Sequence, residues 1–245
     1  MASIVNALRN ITSDSFWFVK LIFMSIPIFM ILNIGILVRF SVNEQIIFYS
    51  ILGIFYLGVA VILMHRNINN ISPILPGPFS ILEFVTKGIG MCIISVPMFA
   101  LYFAAMYAIY TYVILDSYMM LVAYLSVTLF LSPFILVPAV LFSVNGKLSE
   151  AFNFSLIIEA AGNFIVAILS FMLQYVFTIL LFAYLFYALF TSMVTDPMPV
   201  DIVNSFTLVL SILTLYSYCS DLYGDVIPQM KKKRKKGERE DILDW

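Results

Sequence analysis

The stretch Ser143–Asn163, SVNGKLSEAFNFSLIIEAAGN, decides how the chain is read. It is the most polar interior segment of a very apolar protein. Phe154, Ile157, Ile158 and Ala161 recur at the helical offsets i, i+3, i+4 and i+7, while Asn153, Glu159 and Gly162 fall elsewhere. The pattern predicts a short amphipathic helix lying along a membrane surface. Its candidate docking residues are Phe154, Ile157, Ile158 and Glu159. A shorter echo, Phe79-Ser80-Ile81-Leu82-Glu83, stands earlier in the chain and predicts a second such helix.

What surrounds these two segments is apolar. Hydrophobic residues make up 62% of 245 and charged residues 11%, against roughly 45–50% and about 25% in soluble domains. The expected class is an all-α polytopic membrane protein. Six spans are predicted, at about 18–38, 46–64, 88–115, 118–142, 164–194 and 202–218. The first is preceded by an N-terminal cytoplasmic or interfacial segment, 1–16, where Ile4, Val5, Leu8 and Ile11 form a weak apolar stripe. The membrane domain then covers 17–223, and 224–245 is a cytoplasmic tail, basic and then acidic. Trp17 marks an interface, and Lys20 is expected to snorkel to the headgroups. Pro27, Pro97, Pro133 and Pro138 predict bends, and NINNISPILPGPFS breaks any helix. Ser80 and Glu83 have the Ser-x-x-Glu spacing of a capping box. The run 164–194 would make a helix of about 46 Å against a hydrocarbon core of roughly 30 Å, so it must tilt, break or project.

Charge sets the orientation. With the tail in the cytoplasm, six spans bring the N-terminus there too. All but one of the 13 Lys and Arg residues, Arg39, then lie on the cytoplasmic side, while Glu44, Asp116, Asp196 and Asp201 lie outside. This agrees with the positive-inside rule and predicts a cell-membrane protein with both termini cytoplasmic. Tyr107, Tyr110, Tyr112, Tyr118 and Tyr187 would form an outer aromatic belt, with Tyr216 and Tyr223 at the inner interface.

In this topology each amphipathic segment joins an incoming span to an outgoing one. Phe79-Ser80-Ile81-Leu82 aligns with Phe154-Ser155-Leu156-Ile157, which suggests a parallel duplication of spans two and three in spans four and five. Chance similarity in so apolar a chain is the competing explanation. The order Gly58, Arg66, Leu75-Pro76, Phe84, Gly88, Asn145-Gly146, Ala151-Phe152 and the segment to Asn163 resembles the prokaryotic membrane proteins grouped as domain of unknown function 4013. The resemblance covers about residues 18–220 and departs at Gly77-Pro78-Phe79-Ser80, where aromatic and acidic residues would be expected. It implies a six-span integral membrane protein and no particular activity.

Reactive constellations are not apparent. No ionisable residue is predicted between the interfaces, which leaves proton relays and voltage sensing unsupported. Gln174 and Asn33 read as helix-bonding polar residues. His65 is the only histidine, and Cys92 and Cys219 lie within apolar runs, so no metal site, cofactor or disulfide framework is expected. Glu159-Ala160-Ala161 is similar to the coupling helix of ATP-binding-cassette importer permeases, but Gly162 follows at the wrong spacing. The run Lys231, Lys232, Lys233, Arg234, Lys235 and Lys236 is a candidate contact for anionic lipid, worth about 1 kcal/mol per cation near the surface, or a plain topology determinant. Nucleic acid is not an expected partner of a membrane-tethered run. The reading is a non-enzymatic integral membrane protein that scaffolds or assembles envelope components, with lipids, other envelope proteins or a second copy as partners. The alternative is a transporter or permease subunit with its substrate path between the duplicated halves.

Overall fold

Stop and start signals in the sequence delimit the helices one by one. The computed structural model describes residues 3–32, 41–77, 80–112, 117–180, 184–185, 187–189 and 198–237. Within these, the chain is helical and contains no strand. The elements are α1 (Ile4–Thr12), α2 (Trp17–Leu32), α3 (Val42–Ile68), α4 (Ile81–Tyr112), α5 (Ser117–Asn145), the single turn α6 (Leu148–Ala151), α7 (Phe154–Tyr175) and α8 (Met198–Gly237).

Helix α3 begins at a capping box. The Ser41 hydroxyl accepts from the Glu44 amide, and the Glu44 carboxylate accepts from the Ser41 amide at 2.7 Å. At its other end, α3 stops in a Schellman arrangement: Ile71 N–H donates to Arg66 O, and Asn70 N–H to Asn67 O. Asn70 supplies the required positive φ of 54°, which asparagine tolerates better than most side chains. Helix α5 stops in the simpler αL motif, with Gly146 at φ 69° and its amide donating to Phe142 O. Inside α5, Pro133 removes the donor for the Leu129 carbonyl, and the Ser132 hydroxyl takes its place at 2.8 Å.

Among the described residues, five helical segments, 42–68, 81–112, 118–145, 154–178 and 200–224, are long and apolar enough to cross a membrane. Helices α1 and α2 meet at 100° and contribute a sixth only if the bent pair is counted as one span. This is a multi-pass architecture. The described part of the long run after Asn163 continues α7 into a π-helical turn at Val176–Leu180. Helix geometry therefore changes within the run whose length exceeds a bilayer.

Three expectations change. The segments at Ile81 and Phe154 are not separate surface helices: each is the first turns of a long continuous helix, α4 and α7. No proline separates Ile81 from the span that begins near Gly88, and nothing between Phe154 and Tyr175 stops the ladder. Helix α1 turns its apolar stripe toward protein rather than lipid. Ile4, Ala7 and Ile11 are fully buried in the bundle, whereas Val5 points outward. Helix α8 runs unbroken past residue 224 to Gly237. The alignment partner Phe79 lies outside the described residues.

The interior divides into two apolar clusters. One joins Ile4 and Ala7 to α3, α4, α5, α7 and α8, and the other joins Ile11 to α2, α3, Phe84 and α8. The tightest crossing is α3 on α4. A Cβ on Gly58 would stand 1.9 Å from the Phe84 carbonyl oxygen, and one on Gly88 2.0 Å from that of Ile54. Two glycines thus let two backbones touch reciprocally, the close approach that small residues allow between membrane helices.

Candidate functional site

Polar side chains gather where α1, the end of α3 and α8 meet. Asp14, in the turn between α1 and α2, is 7% exposed. Its carboxylate accepts from Lys20 Nζ and from the Leu75 amide, both at 2.6 Å. Lys20 also donates to Leu75 O at 3.0 Å, and Arg66 donates to the carbonyls of Pro73 and Leu75. This anchor ties the α1–α2 turn to the α3–α4 connection. Lys20 was expected to reach the headgroups; with a buried carboxylate this near, its ammonium turns inward.

A second group lies beside it. Asn67 Nδ2 donates to Ser220 Oγ at 2.5 Å and to Asp221 Oδ1 at 2.9 Å. Asn10 of α1 donates to Asn67 Oδ1 and, at 3.4 Å, to Asp221 Oδ1. Ser217, fully buried, donates to the Ala7 carbonyl. On the α7 side, Gln174 Oε1 accepts from the Ile4 amide at 3.0 Å while its Nε2 donates to Ser170. Gln174 does bond a neighbouring helix, as its type suggested. The neighbour is α1.

His65 Nδ1 lies 2.7 Å from the Ser143 carbonyl. A carbonyl only accepts, so the ring donates from Nδ1. The contact joins the end of α3 to the end of α5, so His65 is a helix-to-helix link. Lys87 lies against Gly146 nearby. Taken together, these contacts put the ends of α3 and α5, the start of α4 and the α8 stretch around Asp221 at one end of the bundle. Tyr107, Tyr110, Tyr112 and Tyr118 are strongly exposed, on the last turns of α4 and the first of α5. Tyr216, assigned to the inner belt, is instead packed partly into both apolar clusters.

Comparison with known families, characterised proteins and solved structures gives no match.

The candidate docking residues separate. Ile157 is fully buried, with Leu156, Ala160, Ala161 and Phe164 beside it, while Phe154 and Ile158 are 56% and 66% exposed. Glu159 is exposed on the outward side. The periodicity had put Phe154, Ile157 and Ile158 on one face; packing against α5 selects the face rotated toward Leu156 and Ile157. Asn153 caps this helix, its side chain accepting from the Leu156 amide. The six cations Lys231–Lys236 lie on the last turns of α8. Among the described residues, no group of three or more His, Cys, Asp or Glu could hold a metal.

Sequence reasoning missed Asp14, Asn10, Asn67 and Asp221. Asn67 was read only as part of a helix-breaking run, and Asp14 only as part of the N-terminal segment 1–16. Their partners lie on other elements, so no local spacing announces them.

Proposed function

We propose that this protein is a non-enzymatic integral component of the cell membrane that scaffolds or assembles with other envelope components. What carries the reading is the use to which its interior polar groups are put. Asp14, Lys20, Asn67, Gln174, Ser217 and Asp221 are bonded to one another or to backbone across helices. Groups committed in this way act as glue between helices. In the proposed arrangement six spans cross the bilayer, with the bent α1–α2 pair supplying the first. Both termini are cytoplasmic, and Lys231–Lys236 engage anionic headgroups.

A transporter or permease subunit is the competing reading. Purification of the full chain in mild detergent, with mass spectrometry of what accompanies it, separates the two. The scaffold reading expects membrane proteins without a nucleotide hydrolase. A stoichiometric ATPase or soluble solute-binding protein would overturn it. Orientation is tested with Ser117→Cys and Gly146→Cys in a chain lacking Cys92 and Cys219. An impermeant reagent added outside whole cells should modify the first and spare the second; the reverse pattern inverts the topology.

A further inference from the structure

The two sides of the α1–α2 turn are held by different chemistry. After Ser13, Asp14 makes short charge-assisted bonds to Lys20 and the Leu75 amide, both at 2.6 Å. Such bonds are roughly twice as strong as neutral ones. Before Ser13, α1 is attached by longer bonds at 3.0–3.4 Å: Ile4 to Gln174, Asn10 to Asn67 and Asp221, and Ser217 to Ala7. Its other attachment is the burial of Ile4, Ala7 and Ile11. A helix of 9 residues is too short to be stable without such contacts.

Most polar side chains beneath α1, Ser217 excepted, keep partners without it. Asn67 retains Ser220 and Asp221, Gln174 retains Ser170, and the Ser220 hydroxyl retains the Ser217 carbonyl at 2.6 Å. Removing α1 opens the Ser217 hydroxyl, Gln174 Oε1 and Asn67 Oδ1 to water, whereas releasing Asp14 would strand the Leu75 amide inside the protein and leave the Lys20 ammonium with the Leu75 carbonyl alone. An unsatisfied buried group costs far more than a hydrogen bond contributes, so the easy motion is the one that spares the anchor.

We infer that α1 is a hinged lid, which leaves its seat on α3, α7 and α8 as a unit, pivoting at Ser13 while Asp14 holds the turn in place. Opening exposes a face on which Asn67, Gln174, Ser217 and Asp221 converge. This goes beyond the scaffold reading and holds whether the protein assembles or transports.

The test uses the full chain in lipid nanodiscs, with Cys92 and Cys219 replaced by alanine and a water-soluble maleimide as probe. Ser217→Cys places a thiol beneath α1. Ser143→Cys places one equally buried near the same end of the bundle but away from α1. The Ser217→Cys thiol should react at least tenfold faster than the Ser143→Cys thiol. Adding Asn10→Ala should raise the first rate severalfold and leave the second unchanged. Ile4→Ala, which trims the buried face of α1, is the second variant should Asn10→Ala express poorly. Equal rates at the two positions, no reaction at Ser217→Cys, or a rise at both positions together overturns the lid.

Discussion

Where α3 crosses α4, backbone meets backbone: Gly58 lies under the Phe84 carbonyl and Gly88 under that of Ile54. Where α5 meets α7, large side chains fill the shared cluster, Val137 and Val140 from α5 with Ile157, Ala160 and Phe164 from α7. The one glycine available on the α7 side, Gly162, has no atom within 4 Å of a Cβ placed on it. Both pairs are joined by short polar connections at the same end of the bundle, and both are strongly apolar. They differ in what specifies them. The first is set by the absence of side chains at two points, the second by the presence of large ones. The proposed duplication of the pairs has no counterpart in this contact.

The difference fixes the direction in which each pair is sensitive to side-chain size. The α5–α7 pair should fail on losing volume. Phe164 is fully buried and among the largest side chains that are. Phe164→Ala should cost about 4 kcal/mol, within the range for removing a buried aromatic side chain. Equilibrium unfolding in mixed micelles, followed by circular dichroism, reads this directly. A cost under about 1 kcal/mol would mean that α7 repacks freely and that its contact with α5 is not specified by this residue.

The α3–α4 pair should fail on gaining volume. Gly58→Ala and Gly88→Ala each place a methyl group within 2.0 Å of a backbone oxygen, and backbone cannot rotate away as a side-chain tip can. Each substitution should cost about 3 kcal/mol, the upper end for overpacking, despite the gain of about 1 kcal/mol in helix propensity. Because the contact is reciprocal, separating the helices for one methyl makes room for the other. The double variant should therefore cost clearly less than the sum of the singles in the same assay. Strict additivity would mean that the two contacts open independently.

How much of this could be read in the sequence follows from the same distinction. Signals that act locally were legible. The Asn-rich run ending α3 and the Asn145-Gly146 stop of α5 are where a chain reader would put them, and Gly58, Phe84 and Gly88 stood out as a pattern before their contact was known. Signals that require a distant partner were not. An apolar stripe such as Ile4–Ile11 can face lipid or protein with equal propriety, since a lipid tail is as apolar as leucine. Nothing in the hydrophobic pattern chose burial. The same ambiguity hid which of Ile157 and Ile158 faces inward, because α7 is apolar around much of its circumference and α5 makes the choice. Asp14 is the clearest case: its meaning depends on Leu75, which only the fold brings near.

The smallest effect is also the most informative about partners. Gly162 is exposed on α7, one turn beyond Ile158 on the outward side of the candidate docking segment. Within a single chain, Gly162→Ala meets no neighbour, and it removes the conformational freedom that glycine gives the unfolded helix. It should therefore stabilise by about 0.5–1 kcal/mol, seen as a small rise in Tm for the purified protein. The same substitution would put a methyl group on the surface that Phe154 and Ile158 present. If Gly162→Ala stabilises the purified chain but lowers its recovery with co-purifying membrane components, the outward face of α7 is a contact surface, and glycine is kept there for close approach. If recovery is unchanged, the glycine serves no packed contact in either setting, and assembly through this face of α7 is excluded.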